Sequence, residues 1–120
     1  MQPHRICLSV PLYHCFGCVI GTLCGMLHGA TNILPCPSFN GAACVEAIEA
    51  ERCTSIYGTP TMFIDILAAA RERRPDVSHV ETGIMAGEKN KVILRMLTCI
   101  KILASQSIQR DRNDLLSLLF

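Results

Sequence analysis

Ile6-Cys7-Leu8-Ser9-Val10-Pro11-Leu12-Tyr13-His14 is an apolar run that stops at a proline and opens into polar residues. Thr54-Ser55-Ile56-Tyr57-Gly58-Thr59-Pro60-Thr61 repeats the arrangement further along, and Gly83-Ile84-Met85-Ala86-Gly87 gives a third version. Each reads as a buried strand that ends in turn-forming or polar residues just before a helix. In an open parallel α/β sheet the crevice at the carboxyl ends of the strands is where ligands bind. Three such junctions therefore mark part of a small-molecule site.

The rest of the chain fits between them. Ile6–Val10 is expected as the first strand, Phe16–His28 as a helix stopped by Gly29, and Thr31–Leu34 as the second strand. Asn40 is placed to cap a helix over Ala42–Arg52, in which Ala42, Val45 and Ile48 recur at helical spacing. Thr54–Tyr57 is the third strand. Pro60 then opens a helix to Arg74, a position where its missing N–H is not needed. Met62, Phe63, Ile66, Leu67 and Ala70 form that helix's apolar stripe. Pro75-Asp76 ends it, and Val80–Ala86 is the fourth strand. Strands alternating with helices of this length imply crossover units and a mostly parallel sheet with flanking helices, an α/β fold.

After Gly87 the pattern changes. Glu88-Lys89-Asn90-Lys91 is a polar break, Val92–Ala104 carries a helical apolar pattern, and a charged connector leads to the apolar Leu115–Phe120. We therefore divide the chain into residues 1–87 and a divergent helical tail, 88–120.

At 120 residues the chain has room for one domain at most. Its formal charge of +1 gives no electrostatic footprint for nucleic acid. Arg71, Arg73 and Arg74 are the densest basic cluster, and at a helix carboxyl end they complement the dipole. Between Arg5 and Glu46 there is no Asp, Glu, Lys or Arg. The uncharged Cys15–Leu34 window reaches the ~20 residues that span a bilayer. Pro11, Pro35 and Pro37 punctuate the uncharged region, Gly17, Gly21, Gly25 and Gly29 recur through it, and His14 and His28 lie inside. Burial of strands on both faces of a parallel sheet explains such a region better than a membrane span. Met1-Gln2-Pro3-His4 has the form of neither a secretory signal nor an Arg-rich transit peptide.

Eight cysteines are many for this length. Cys15-Phe16-Gly17-Cys18 has the C-x-x-C spacing of zinc and dithiol sites, with His14 and Cys24 close by. A structural zinc needs a second ligand pair at short spacing, and Cys36, Cys44, Cys53 and Cys99 are scattered singly. The reading that prevails is reduced, small apolar residues and no metal ligand.

Taken together, Pro11-Leu12-Tyr13-His14 with Gly17, the stretch Tyr57-Gly58-Thr59-Pro60-Thr61-Met62-Phe63, and Gly83-Ile84-Met85-Ala86-Gly87 resemble the AMP-forming acyl-CoA synthetases of the adenylate-forming superfamily. The wording of residues 5–67 is similar to the animal medium-chain type, and the likeness runs over about residues 4–87. Family members are several times longer, so the resemblance implies an internal piece of the large amino-terminal domain. Close members continue after the glycine with a proline-rich helix start. The different wording here is what a spliced, frame-shifted or mis-assigned end would give.

The resemblance implies a function as well. Such a ligase activates a fatty acid with ATP to acyl-AMP, assisted by Mg2+, and transfers the acyl group to coenzyme A. It also implies a mitochondrial location. His14 would lie beside the acyl carboxylate, Tyr13 and Gly17 would shape the pocket entrance, and Gly58, Thr59 and Pro60 would form a pocket wall. Gly87, lacking a side chain, would let the backbone approach the adenylate. From the residues alone, a histidine after a strand is more often a hydrogen-bonded structural one. The family's phosphate loop ending in Lys, its Tyr-Gly-x-Thr-Glu segment, its ribose-binding Asp and its catalytic Lys are absent from this sequence. Tyr57-Gly58-Thr59-Pro60-Thr61 has Pro60 and Thr61 where the Tyr-Gly-x-Thr-Glu segment needs Thr and Glu. No catalytic residue is therefore assigned, and ATP, Mg2+ and coenzyme A are not expected to bind this chain tightly. Two classes remain: a piece of an acyl-CoA ligase, or a non-catalytic truncated or splice product. A membrane-associated peptide is a weaker third.

Overall fold

The computed structural model describes residues 3–86. Gly87 and the helix expected over 92–104 lie outside the described residues.

The chain alternates strand and helix as its patterning requires. Strand β1 is Arg5–Leu8, β2 is Thr31–Ile33, β3 is Ser55–Gly58 and β4 is Thr82–Met85. The first connection is helical from Phe16, in π-type turns over Phe16–Leu23, then as α-helix over Cys24–Leu27 (α1). Helices α2, Gly41–Ala50, and α3, Pro60–Arg73, fill the other two. All pairings are parallel and the strand order is β2-β1-β3-β4.

That order fixes where the helices go. The chain steps from β1 outward to β2, then back across β1 to β3, then onward to β4. Crossovers between parallel strands are right-handed, so a step in the opposite direction lays its helix on the opposite face. The two apolar clusters follow this rule. On one face Cys7 and Ile56 pack with Cys44, Val45 and Ile48 of α2 and with Phe63, Ile66, Leu67 and Ala70 of α3. On the other face Ile6, Leu8 and Val10 pack with Phe16. Burial at alternate β1 positions on both faces is why that strand reads as a continuous apolar run. Ile48 and Val45 are 1% and 2% exposed, and burying such side chains contributes about 1.5–3 kcal/mol each.

The helix ends follow their local chemistry. The Asn40 side chain accepts the Ala43 amide at 3.0 Å, capping α2. Pro60 is the first residue of α3, and Gly29 takes the left-handed conformation (φ 68°) just past α1. Arg73 of the basic cluster reaches across to Glu46 and Glu49 of α2 at 3.7 and 3.8 Å, so its role extends beyond the helix dipole. Those ion pairs are largely exposed and contribute little singly.

The regularly spaced glycines seat the first helical segment on the sheet. A Cβ on Gly21 would lie 2.4 Å from the Leu8 side chain, and one on Gly25 would lie 2.9 Å from the Asn32 side chain. A Cβ on Gly17 would stand 2.2 Å from the Pro11 carbonyl oxygen. That neighbour is backbone, so it cannot swing aside. The sequence reading expects a helix from Phe16; the structure opens it in wide π-type turns, and the Thr22 hydroxyl donates to the Gly17 carbonyl at 2.9 Å. Helix α1 itself is short. Among the described residues no helix is long and apolar enough to cross a membrane.

Gly17→Ala is expected to destabilise the chain by about 1–3 kcal/mol, the usual cost of overpacking. Asn40→Ala should cost about 1 kcal/mol through loss of the cap. Urea unfolding followed by circular dichroism measures both.

Candidate functional site

In a sheet ordered β2-β1-β3-β4, the chain leaves the carboxyl end of β1 in one direction and that of β3 in the other. The crevice of such a sheet opens between those two ends. The register pairs Leu8 with Tyr57, so the loop Ser9–Cys15 and the turn Gly58–Thr61 emerge side by side. Of the residues singled out in the sequence, Tyr13, His14, Gly58, Thr59 and Pro60 lie on these two segments, and Gly17 lies in the first turn of the helical segment that follows the loop.

The first segment is held from several sides. The Cys18 amide donates to the His14 carbonyl at 2.9 Å, and the His14 amide donates to the Pro11 carbonyl at 3.3 Å. Phe16 is 5% exposed and stacks on Tyr57 of β3, ring centroids 6.1 Å apart at 26°. That stack ties the loop after β1 to the neighbouring strand. Burial pushes the Tyr57 hydroxyl's pKa up, with a smaller contribution from Cys24. Tyr13 stands 94% exposed at the outer rim.

His14 is positioned by its own backbone. The Phe16 amide donates to His14 Nδ1 at 3.2 Å. A ring nitrogen that accepts an N–H carries its lone pair, so the proton of the neutral ring sits on Nε2. Nε2–H is therefore the donor left for anything entering from outside. Cys15 Sγ lies 3.6 Å from the same Nδ1.

In the second segment, Gly58 ends β3, Thr59 occupies the position just before α3, and Pro60 is its first residue. Gly58 is buried, and a Cβ there would come within 3.3 Å of the Phe63 ring. The hydroxyls of Thr59 and Thr61 are 3.1 Å apart. The Thr59 side chain makes no capping bond to the helix. The two segments thus carry an imidazole N–H and two hydroxyls.

Phosphate and metal chemistry have less to work with. Among the described residues no group of three or more His, Cys, Asp or Glu is arranged to hold a metal ion. Neither strand-end segment carries a carboxylate. The residues of these two segments do not fit Mg2+. The seven cysteines among the described residues are free thiols, with Cys7, Cys44 and Cys53 buried. Hydrogen bonding with Cys44 and then Cys53, together with burial, holds the Cys7 pKa well above the usual thiol range. A cavity of about 30 Å³ between α2, α3 and β3 is lined by Val45, Ile48, Ile66, Leu67 and other apolar side chains. It offers no polar group and lies in the core, away from the strand ends.

Sequence reasoning did not reach the Phe16–Tyr57 stack or the His14–Cys15 contact. An aromatic two residues after a histidine is a faint local hint. Its partner lies on another strand.

The family model of the AMP-binding enzymes matches residues 2–98. The chain belongs to the AMP-binding enzyme family. Among its relatives is the mitochondrial medium-chain acyl-CoA ligase ACSF2 of Danio rerio, 52% identical over 83 residues, which are 69% of this chain and 14% of that protein. The human ACSF2 protein is 49% identical over 83 residues, 69% of this chain and 14% of its own length. The acyl-CoA ligase SID4 of Ajellomyces capsulatus is 46% identical over 82 residues, 68% and 14% respectively. The matched part of this chain spans about one seventh of these AMP-binding relatives, and they place it in an AMP-forming ligase family.

The hydrogen-bonding pattern predicts that His14 is the Nε2–H tautomer. Long-range ¹H–¹⁵N correlation spectra at neutral pH should show a deprotonated Nδ1. A protonated Nδ1 in the neutral ring would contradict the geometry.

Proposed function

We infer that residues 1–87 form the acyl-binding part of an AMP-forming fatty acid–CoA ligase, and that 88–120 is a separate tail. The reaction joins a fatty acid to AMP at the expense of ATP, then transfers the acyl group to coenzyme A. The observation that carries this reading is His14 at the β1/β3 switch point, its Nδ1 engaged by the Phe16 amide and its Nε2–H free. A donor so fixed binds the substrate carboxylate and polarises the acyl carbonyl that forms from it.

The other residues supply shape. Tyr13 and Gly17 frame the entrance, and Gly58, Thr59 and Pro60 form the wall along which the acyl chain lies. Gly87, outside the described residues, gives the adenylate a close approach to backbone. ATP and coenzyme A are handled by parts of the longer relatives that this sequence does not contain. The mitochondrial names of the ACSF2 relatives support a mitochondrial setting.

None of the family's nucleotide-handling motifs occurs in these 120 residues, which favours a second reading for the chain taken alone: a product without activity of its own.

Both readings predict no fatty-acid-dependent ATP–pyrophosphate exchange by the isolated chain. Measurable exchange would overturn both. In a full-length relative, replacing the histidine that aligns with His14 by Ala should lower kcat/KM for the fatty acid by about 10²-fold, the scale of losing one preorganised donor. The KM for ATP should change little. An equal loss for both substrates would remove His14 from the acyl site.

A further inference from the structure

Three of the cysteines pack together in the core. Cys7, Cys44 and Cys53 belong to one apolar cluster and are fully buried. The topology brings a fourth to its edge. Helix α2 follows the carboxyl end of β2, so its first turn, with Cys44, and the loop before it, with Cys36, both lie at the carboxyl ends of the strands. Cys7 and Ser9 alternate along β1 with Leu8 and Val10, which face the other cluster, so both point toward α2. The Ser9 hydroxyl is buried there without an oxygen or nitrogen partner and lies beside the Cys44 sulfur. The thiols of Cys7 and Cys36 are in hydrogen-bonding contact with the same sulfur. Among the described residues no such group has the arrangement of a metal site.

The thiols of this cluster are not equivalent. Cys36 is half-buried, whereas Cys7 and Cys44 are sealed, so a reagent from solvent meets Cys36 first. Pro35 and Pro37 flank Cys36, and a residue before proline is confined to extended backbone, which limits the freedom lost when Cys36 is tied to α2. Hydrogen bonding with Cys7, and then with the Ser9 hydroxyl, the Asn40 backbone and Cys36, outweighs burial and brings the Cys44 thiol down to about 7. Cys7 is held protonated by the same contacts. An accessible thiol therefore touches a buried one that is ready to act as a thiolate, with a third thiol and a hydroxyl as donors behind it.

We propose that Cys36 and Cys44 form a dithiol exchange site for small-molecule disulfides, with Cys36 the entering thiol and Cys44 the resolving one. The Cys36 sulfur attacks one sulfur of the reagent RS–SR. That S–S bond breaks, a Cys36–SR bond forms, and the departing RS⁻ takes up the proton Cys36 gave. The Cys44 sulfur then attacks the Cys36 sulfur, the bond to SR breaks, and the second RS⁻ leaves with the Cys44 proton. Two protein thiols are oxidised to one disulfide, and the reagent is reduced to two thiols. The bond joins the loop after β2 to the first turn of α2. It involves none of the residues assigned to the acyl site and does not rest on that assignment.

Oxidised glutathione is the probe. The 120-residue chain is incubated with it at pH 7, quenched in acid and digested with pepsin, and the peptides are read by mass spectrometry without reduction. Cleavage between Phe39 and Asn40 separates Cys36 from Cys44 unless a disulfide joins them. The joined peptides should exceed the Cys36–glutathione adduct by about 10-fold, the gain in thiolate fraction of Cys44 over an ordinary thiol, which is only a few per cent thiolate at this pH. Cys24, exposed on the opposite face, should accumulate adduct. In Cys36→Ser, with Cys7 and Cys53 still free, Cys44 should remain a thiol. A Cys36–glutathione adduct that persists unresolved in the unaltered chain overturns the proposal without any variant, as does a bond from Cys44 to Cys7 in place of Cys36. Oxidation of Cys44 at an unchanged rate in Cys36→Ser removes Cys36 as the entering thiol.

Discussion

The parallel pairing of β1 with β3, Ile6 to Ser55, Cys7 to Ile56 and Leu8 to Tyr57, is the constraint on which the described structure depends. Each of these strands is covered on both faces, so the pairing cannot slip by one residue. A one-residue shift would exchange the side chains that face α2 and α3 with those that face the first helical segment. Once β1 and β3 are neighbours, β2 and β4 must lie outside them. The chain then leaves the two central strands in opposite directions, and the crevice between their ends follows from the topology.

Close packing by glycine determines how tightly the loop after β1 is held. Gly17 brings the first turn against the Pro11 carbonyl, and Gly21 lies on Leu8. Phe16 then reaches Tyr57 across the sheet. These contacts hold the backbone on both sides of His14, and the Phe16 amide selects its tautomer. The same segment leaves Val19, Leu23, Met26 and Leu27 between 47% and 83% exposed, as expected of a segment whose relatives are about seven times longer than the matched region. The candidate site groups are therefore fixed by backbone and packing, and little of their placement rests on charge. Between Arg5 and Glu46 there is no Asp, Glu, Lys or Arg.

Much of this was legible in the sequence because its signals are local. Alternating apolar runs and helical stripes marked the strands and helices, Asn40, Pro60 and Gly29 marked helix ends, and the polar residues after two strand ends marked His14, Gly58, Thr59 and Pro60. The helix expected from Phe16 was placed correctly, but its π-type opening was not foreseen. Turn width there is bound up with how Gly17 and Gly21 meet β1, and those contacts are non-local.

The amino-acid sequence by itself determined the α/β class, the order of elements along the chain and the family to which it belongs. Each of these rests on short-range pattern: periodicity, caps, and characteristic wording at strand ends. Tertiary structure alone decided the spatial order β2-β1-β3-β4, the stack of Phe16 on Tyr57 and the side-by-side emergence of the His14 loop and the Gly58 turn. It also decided which nitrogen of His14 faces outward. Strand order is a contest among pairings of distant segments, settled by how both faces of every strand are buried together. No window of residues along the chain contains that sum.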